Sequence, residues 1–109
     1  MFEIRKTVTI SAAHRLSLSY SSKCSNLHGH NWKVTVICRS ESLNDNGMVV
    51  DFAHIKSVVN SLDHADLNSI LGGNPTAENI ALFVAGIVGE LCEEVHIEEI
   101  DGSVAIWKR

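Results

Sequence analysis

Two stretches of apolar alternation, each with histidine at one end, constrain this chain more than any other feature. From residue 2 to 14 the even positions are Phe2, Ile4, Lys6, Val8, Ile10, Ala12 and His14, and the odd ones Glu3, Arg5, Thr7, Thr9, Ser11 and Ala13. A period of two with one lapse, at Lys6, predicts a half-buried strand. A second stretch sets His28, His30, Trp32, Val34, Val36 and Cys38 on one face, with Asn31, Lys33, Thr35, Ile37 and Arg39 on the other. His14 closes the first strand and His28 opens the second. In an antiparallel pair those two ends are neighbours, so His14, His28 and His30 are expected at one rim of the apolar face.

Residues i and i+2 of a strand project from the same face, with Cβ atoms roughly 6.5–7 Å apart, from which two imidazoles reach one ion. Gly29, between His28 and His30, is expected to remove bulk from the opposite face. Three neutral imidazoles without a fourth protein ligand describe a catalytic zinc site with an open position. A single histidine on a strand is more often a partly buried hydrogen-bonder. His54, expected at the surface or the core boundary of a predicted helix, and His96, on the strand face opposite Val95 and Ile97, lack partners and receive no role.

The rest of the chain alternates between turns and periodic segments. Asn44-Asp45-Asn46-Gly47 is a turn by composition. Asp51 reads as an N-cap, followed by Phe52, Ile55, Val58, Val59 and Leu62 at helical spacing, with Asp63-His64 closing that helix. Gly72-Gly73 breaks the chain. Asn74-Pro75 reads as an N-cap with proline in the first turn, and Ile80, Val84, Ile87, Val88 and Leu91 form a second helical stripe. Val95-His96-Ile97 and Val104-Ala105-Ile106-Trp107 read as closing strands joined at Asp101-Gly102. The order ββααββ predicts an α+β fold, a four-stranded antiparallel sheet with two helices on its apolar face. Glu3, Arg5, Thr7 and Thr9 on the other face suit solvent or a wet channel. Edge strands in so small a sheet need protection, which oligomerisation would supply.

At 109 residues the chain is read as one domain, 1–109. A net charge of −4 argues against a nucleic-acid or membrane binder, and an anionic substrate would need a local basic patch. No apolar run approaches the ~18–20 residues of a membrane span, and Met1-Phe2-Glu3-Ile4-Arg5-Lys6 lacks the apolar core of a signal peptide. Cys24, Cys38 and Cys92 cannot all pair within one chain and show no C-x-x-C spacing. Free thiols in the cytoplasm are the expectation.

Three further groups carry chemistry. Cys24 lies in a polar loop with Ser21, Ser22, Lys23, Ser25 and Asn26. A thiol beside Lys23 and a metal ionises below its free pKa of ~8.5, and it suits a proton acceptor, a nucleophile or a fourth zinc ligand. Asp63-His64 is either a helix end, where the dipole favours histidine, or a carboxylate-oriented histidine that moves protons near neutral pH. Glu99 shares the face of Val95 and Ile97. A carboxylate at the edge of a core is costly unless it is bound, for instance by a ligand with several N–H donors.

Together these residues resemble one family. Ser11-Ala12-Ala13-His14-Arg15-Leu16, Cys24-x-x-x-His28-Gly29-His30, Gly47-Met48-Val49-Val50-Asp51-Phe52, Leu62-Asp63-His64-x-x-Leu67-Asn68, Asn74-Pro75-Thr76-Ala77-Glu78-Asn79 and Glu99 are similar, nearly end to end and in order, to the 6-pyruvoyl-tetrahydropterin and 6-carboxytetrahydropterin synthases. The resemblance implies the T-fold, in which trimers close their sheets into a barrel and two trimers stack into a hexamer. It implies zinc on His14, His28 and His30, with one ion per subunit. Cys24 becomes the catalytic thiol, and Asp63 and His64 a proton-relay pair donated across a subunit interface. Glu99 becomes the carboxylate on the pterin's amino-pyrimidine edge, and Thr76 a further pterin contact. The substrate implied is 7,8-dihydroneopterin triphosphate, with Arg15 and Lys23 as counter-charges; magnesium alongside the triphosphate is left open. Three residues between Cys24 and His28 resemble the bacterial 6-carboxytetrahydropterin synthases of queuosine (7-deazapurine) biosynthesis, which also release acetaldehyde. The alternatives are the pyruvoyl-forming enzyme, a non-catalytic pterin-binding T-fold protein and a purely structural zinc protein. The chain departs from the family in a short loop between Arg39 and Gly47 and in Trp107, where tyrosine is common.

Overall fold

The two alternating stretches pair along their full length. β1 (Phe2–His14) runs antiparallel to β2 (His28–Ser40), from Phe2 opposite Ser40 to His14 opposite His28. In the computed structural model, which describes residues 1–109, β2 also pairs with β3 (Cys92–Ile100) and β3 with β4 (Ser103–Lys108). The sheet is antiparallel throughout, in the order β1-β2-β3-β4. Gly102, at φ +87°, makes the tight β3–β4 turn, a conformation that costs a residue without Cβ little. An irregularity between Glu98 and Ile100 places Glu99 outside the regular ladder.

The apolar face of the sheet carries Ile10, Ala12, Trp32, Val34, Val36, Cys38, Val95 and Ile97, all buried. Its cover is α1 (Phe52–Asn60), α2 (Leu67–Leu71) and α3 (Ala77–Val88), which contribute Ile55, Val58, Val59, Leu67, Ile80, Ala81, Val84, Ala85 and Val88 to the same core. Full burial of each such aliphatic side chain contributes about 1.5–3 kcal/mol. Asp51 caps α1 as expected, accepting from the Ala53 N–H at 2.8 Å. No helix is long and apolar enough to cross a membrane.

The ββααββ order stands with one addition and several local corrections. The added helix, α2, has only five residues, too few for a helical period to show; its N-cap is Asp66, which accepts from the Asn68 N–H. α1 stops at Asn60, so Asp63 and His64 lie in a turn beyond the helix. Leu62 is buried from that same turn. Phe52, Ile87 and Leu91 are 50%, 48% and 39% exposed, and Ala81 and Ala85 take the inner positions of α3. Small residues suit a close helix–sheet approach that a stripe drawn through large aliphatics overlooks. Asn74 is not the cap of α3: Thr76 is, its hydroxyl accepting from the Asn79 N–H at 3.1 Å. A Cβ built on Gly29 would meet the Ala12 carbonyl at 3.7 Å, an ordinary contact, so bulk there does not dictate glycine.

The opposite face of the sheet is a polar ladder. Arg39 bridges Glu3 and Glu94, Glu94 also meets His96 at 3.1 Å, Thr7 pairs with Thr35 and Ser11 with Asn31. Arg39 pulls the Glu94 carboxyl down to about 2, with His96 adding to the effect. His96 thus belongs to this ladder, while His54 is exposed on α1.

Candidate metal centre

The β1–β2 register sets His14 opposite His28 and Ala12 opposite His30, so three imidazoles meet at the end of one strand pair. Their ring centroids lie 4.5 Å (His14–His28), 4.9 Å (His28–His30) and 5.3 Å (His14–His30) apart. Trp32, two residues further along β2, forms the floor, with its ring 4.9 Å from His14 and 5.1 Å from His30. Its indole N–H donates to the Ala12 carbonyl at 3.1 Å, which fixes the ring.

Two backbone carbonyls orient two of the rings. Nδ1 of His14 lies 2.8 Å from the Pro75 carbonyl and Nδ1 of His28 lies 2.7 Å from the Asn26 carbonyl. A carbonyl only accepts, so both Nδ1 atoms carry the proton and both Nε2 atoms present lone pairs. This is the outer-shell arrangement that fixes the tautomer of a metal-bound histidine. Nε2 of His14 and Nε2 of His30 are buried and have no hydrogen-bond partner. Glu99 Oε1 approaches them at 3.2 and 3.3 Å, within ion-pair distance but without hydrogen-bond geometry. One ligand atom from each of His14, His28, His30 and Glu99 falls within 4.8 Å of the others. Desolvation holds the His30 pKa below its ordinary value despite the Glu99 charge, favouring the neutral ring that a metal needs. Two orphaned buried nitrogens facing a carboxylate leave polar atoms that a bound cation would satisfy, and the four groups have a donor set that could hold a divalent ion.

Beside the cluster opens a depression of about 710 Å³, lined in part by Ser11, His30, Asn31, His64 and Glu99. His64 reaches it because residues 63–66 are stitched to the edge of β1. The Ser11 N–H donates to Asp63 Oδ1 at 2.8 Å, the His64 N–H to the Ser11 carbonyl at 2.6 Å, and the Ala13 N–H to the Ala65 carbonyl at 3.0 Å. The chain reverses at His64 with φ +56°, an uncommon conformation for a side-chain-bearing residue, and its ring is 82% exposed. Asp63 Oδ2 lies 3.1 Å from His64 Nδ1. The Ser11 N–H, with His64 second, holds the Asp63 carboxyl below the usual range. The pair thus lies beyond the end of α1, with the Asp63 carboxylate beside the His64 ring.

Cys24 and Thr76 stand apart from the depression. Cys24 is half-buried in a single 3₁₀ turn (Lys23–Ser25), a free thiol. Thr76 caps α3, one residue beyond the carbonyl that orients His14. Sequence reasoning missed the orienting carbonyls of Asn26 and Pro75 and the strand-edge partner Ser11. Backbone acceptors carry no residue signature, although the pairing of Ser11 follows once residues 63–66 are laid along β1.

The sequence profile of the 6-pyruvoyl tetrahydropterin synthase family matches residues 3–109. The chain belongs to that family. It is similar to the 6-carboxy-5,6,7,8-tetrahydropterin synthase of Synechocystis, at 38% identity over 94 residues, 77% of this chain and 72% of that one. A Pyrococcus horikoshii relative is 45% identical over 58 residues, 53% of this chain, and the match spans only 36% of that protein. Among solved structures, the 6-pyruvoyl tetrahydropterin synthase of Caenorhabditis elegans superposes with a TM-score of 0.78 at 27% identity, covering 99% of this chain and 95% of that one. The tetrahydropterin synthase fold is therefore shared over nearly the whole chain.

Proposed function

We propose that this chain is a zinc-dependent 6-carboxy-5,6,7,8-tetrahydropterin synthase. It would convert 7,8-dihydroneopterin triphosphate and one water to 6-carboxytetrahydropterin, acetaldehyde and triphosphate, in queuosine (7-deazapurine) biosynthesis. The observation that carries the reading is the convergence of His14, His28 and His30, with two lone pairs unclaimed, beside a depression that also holds Glu99 and His64.

Held by the three histidines, zinc would supply Lewis-acid polarisation of the hydroxyls on the substrate's side chain. The residues of the chain do the rest. Glu99 accepts the N–H groups of the amino-pyrimidine edge, which orients the ring and gives a carboxylate at the core's edge its partners. The Thr76 hydroxyl accepts within its cap, which leaves its own proton for a pterin acceptor. The Cys24 thiolate removes a proton from the side-chain carbon, and His64, oriented by Asp63, returns one to the ring. Arg15 and Lys23, both exposed, offset the triphosphate charge, and magnesium would enter with the triphosphate as part of the substrate. The β4 edge and the β1 edge before Ser11 pair with no further strand, and together with the polar ladder they suit a trimer or hexamer in which sheets close around a wet channel and Asp63 and His64 serve a neighbouring subunit. A cytoplasmic location fits the free thiols.

The second reading is the pyruvoyl-forming synthase, which eliminates triphosphate and keeps the side chain. The C. elegans structure favours it; the Synechocystis relative and the Cys24–His28 spacing favour the carboxy product. Incubation with 7,8-dihydroneopterin triphosphate decides between them. Acetaldehyde in step with triphosphate supports the proposal, and triphosphate without acetaldehyde overturns it.

A further inference from the structure

After His14 the chain leaves the sheet, and two asparagines take over the pairing. The Arg15 N–H donates to Asn68 Oδ1 at 2.8 Å, and Asn68 Nδ2 donates to the Arg15 carbonyl at 2.9 Å. Two residues on, the Ser17 N–H donates to Asn74 Oδ1 at 2.9 Å and Asn74 Nδ2 to the Ser17 carbonyl at 3.0 Å. Each carboxamide thus satisfies both peptide groups of one residue, as an opposing strand residue does in a hydrogen-bonded antiparallel pair. Burial does little here, since Arg15 and Ser17 are exposed and Leu16 only half-buried. What fixes residues 15–17 is the pair of amides.

Leu16, between the clamped residues, donates its N–H to the Cys24 carbonyl at 2.8 Å. The 3₁₀ turn that carries Cys24 is otherwise tied to itself, through the Cys24 N–H to Ser22 Oγ, the Ser25 N–H to the Ser22 carbonyl and the Asn26 N–H to the Lys23 carbonyl. Its second outward tie is the Asn26 carbonyl, which holds Nδ1 of His28. The turn is therefore suspended between a clamped segment and a candidate metal ligand. Asn74 serves both sides: its side chain grips Ser17, its own carbonyl accepts from Asn79 Nδ2 at 2.7 Å, and the next carbonyl, of Pro75, orients His14.

We propose that Asn68 and Asn74 are positioning residues for Cys24, holding residues 15–17 extended so that the Leu16 N–H fixes the thiol's turn against the histidine cluster. The catalytic consequence rests on the reading of Cys24 as the proton acceptor; the clamp itself does not. Placement errors of about 1 Å cost up to roughly 100-fold in rate without touching the reacting groups, so these amides act on turnover through geometry alone.

The test compares Asn68→Ala, Asn74→Ala, their double variant and Asn68→Asp, each in the full chain. The readouts are iodoacetamide alkylation of Cys24, hydrogen exchange at the Leu16 amide, bound metal, and kcat and KM with 7,8-dihydroneopterin triphosphate. Cys38 and Cys92 are fully buried, so alkylation of the native protein reports Cys24. The alanine variants should retain metal, alkylate faster, lose Leu16 protection and drop kcat about 10- to 100-fold with KM within about twofold. Asn68→Asp keeps an acceptor for the Arg15 N–H and should recover part of kcat. Wild-type alkylation and Leu16 protection in the double variant would overturn the clamp. Full turnover by Cys24→Ala would instead overturn the catalytic role of Cys24, with the clamp still decided by alkylation and exchange.

Discussion

Glu99 Oε1 stands 3.2 Å from Nε2 of His14, a fully buried residue whose other ring nitrogen is already committed to the Pro75 carbonyl. A carboxylate and an imidazole lone pair repel at that distance unless a cation or a proton lies between them. The contact therefore puts Glu99 within reach of an ion as well as of a ligand in the depression, and the two roles separate by experiment. Glu99→Gln removes the charge and keeps the shape. Given a pterin-binding role, it should leave bound metal unchanged and raise KM about 10- to 100-fold, the worth of a charge-assisted hydrogen bond. Metal analysis beside steady-state kinetics checks this; loss of metal with KM intact would make Glu99 a ligand instead.

Cys24 touches neither the cluster nor the depression through any hydrogen bond, yet its turn is anchored to His28 through Asn26. Cys24→Ala should keep metal and pterin binding and lose product formation by about 10²- to 10⁴-fold, the usual worth of a positioned acid or base. Pterin titration followed by a turnover assay on the same sample separates binding from chemistry.

The polar ladder makes stability depend on acid. Glu94 titrates at about 2 because Arg39, then His96, favours its ionised form. Glu3 and Asp63 are shifted the same way, chiefly by Arg5 and by the Ser11 N–H respectively. A carboxylate whose pKa falls on folding stabilises the native state above its unfolded pKa of about 4 and loses that contribution as pH drops through the folded value. The urea midpoint should hold from pH 7 to about 5 and decline between about pH 4.5 and 2. Glu94→Gln should flatten that decline, which chemical denaturation at stepped pH would reveal.

How much was legible in the sequence follows from what each signal depends on. Strand parity needs only the alternation of side chains, so the register that gathers His14, His28 and His30 could be read from residues 2–14 and 28–38. The Asp51 cap and the Gly102 turn were legible for the same reason: each depends on a residue's own conformational chemistry. α2 was not legible, because five residues held by an Asp66 cap and one buried leucine, Leu67, carry no period. The inner face of α3 was misread where Ala81 and Ala85 stand in place of larger side chains, and its cap was misplaced because asparagine and threonine are both good caps two residues apart. Side-chain chemistry singled out His64 and Glu99, which the fold brings to the depression beside the histidine cluster, Asp63, which sits against His64, and Cys24, which stands apart from it. The carbonyls of Asn26 and Pro75 and the amides of Asn68 and Asn74 emerge only when the chain is folded, since their partners lie far away in sequence.

The measurement closest to the central claim is the metal content of the purified protein and of His28→Ala, determined by elemental analysis. Three converging imidazoles with free Nε2 atoms predict about one zinc per chain in the wild type and less than about half of that in the variant, with the fold preserved. A His28→Ala protein that keeps its full complement, or a wild type that binds no divalent ion when offered zinc, would contradict the account.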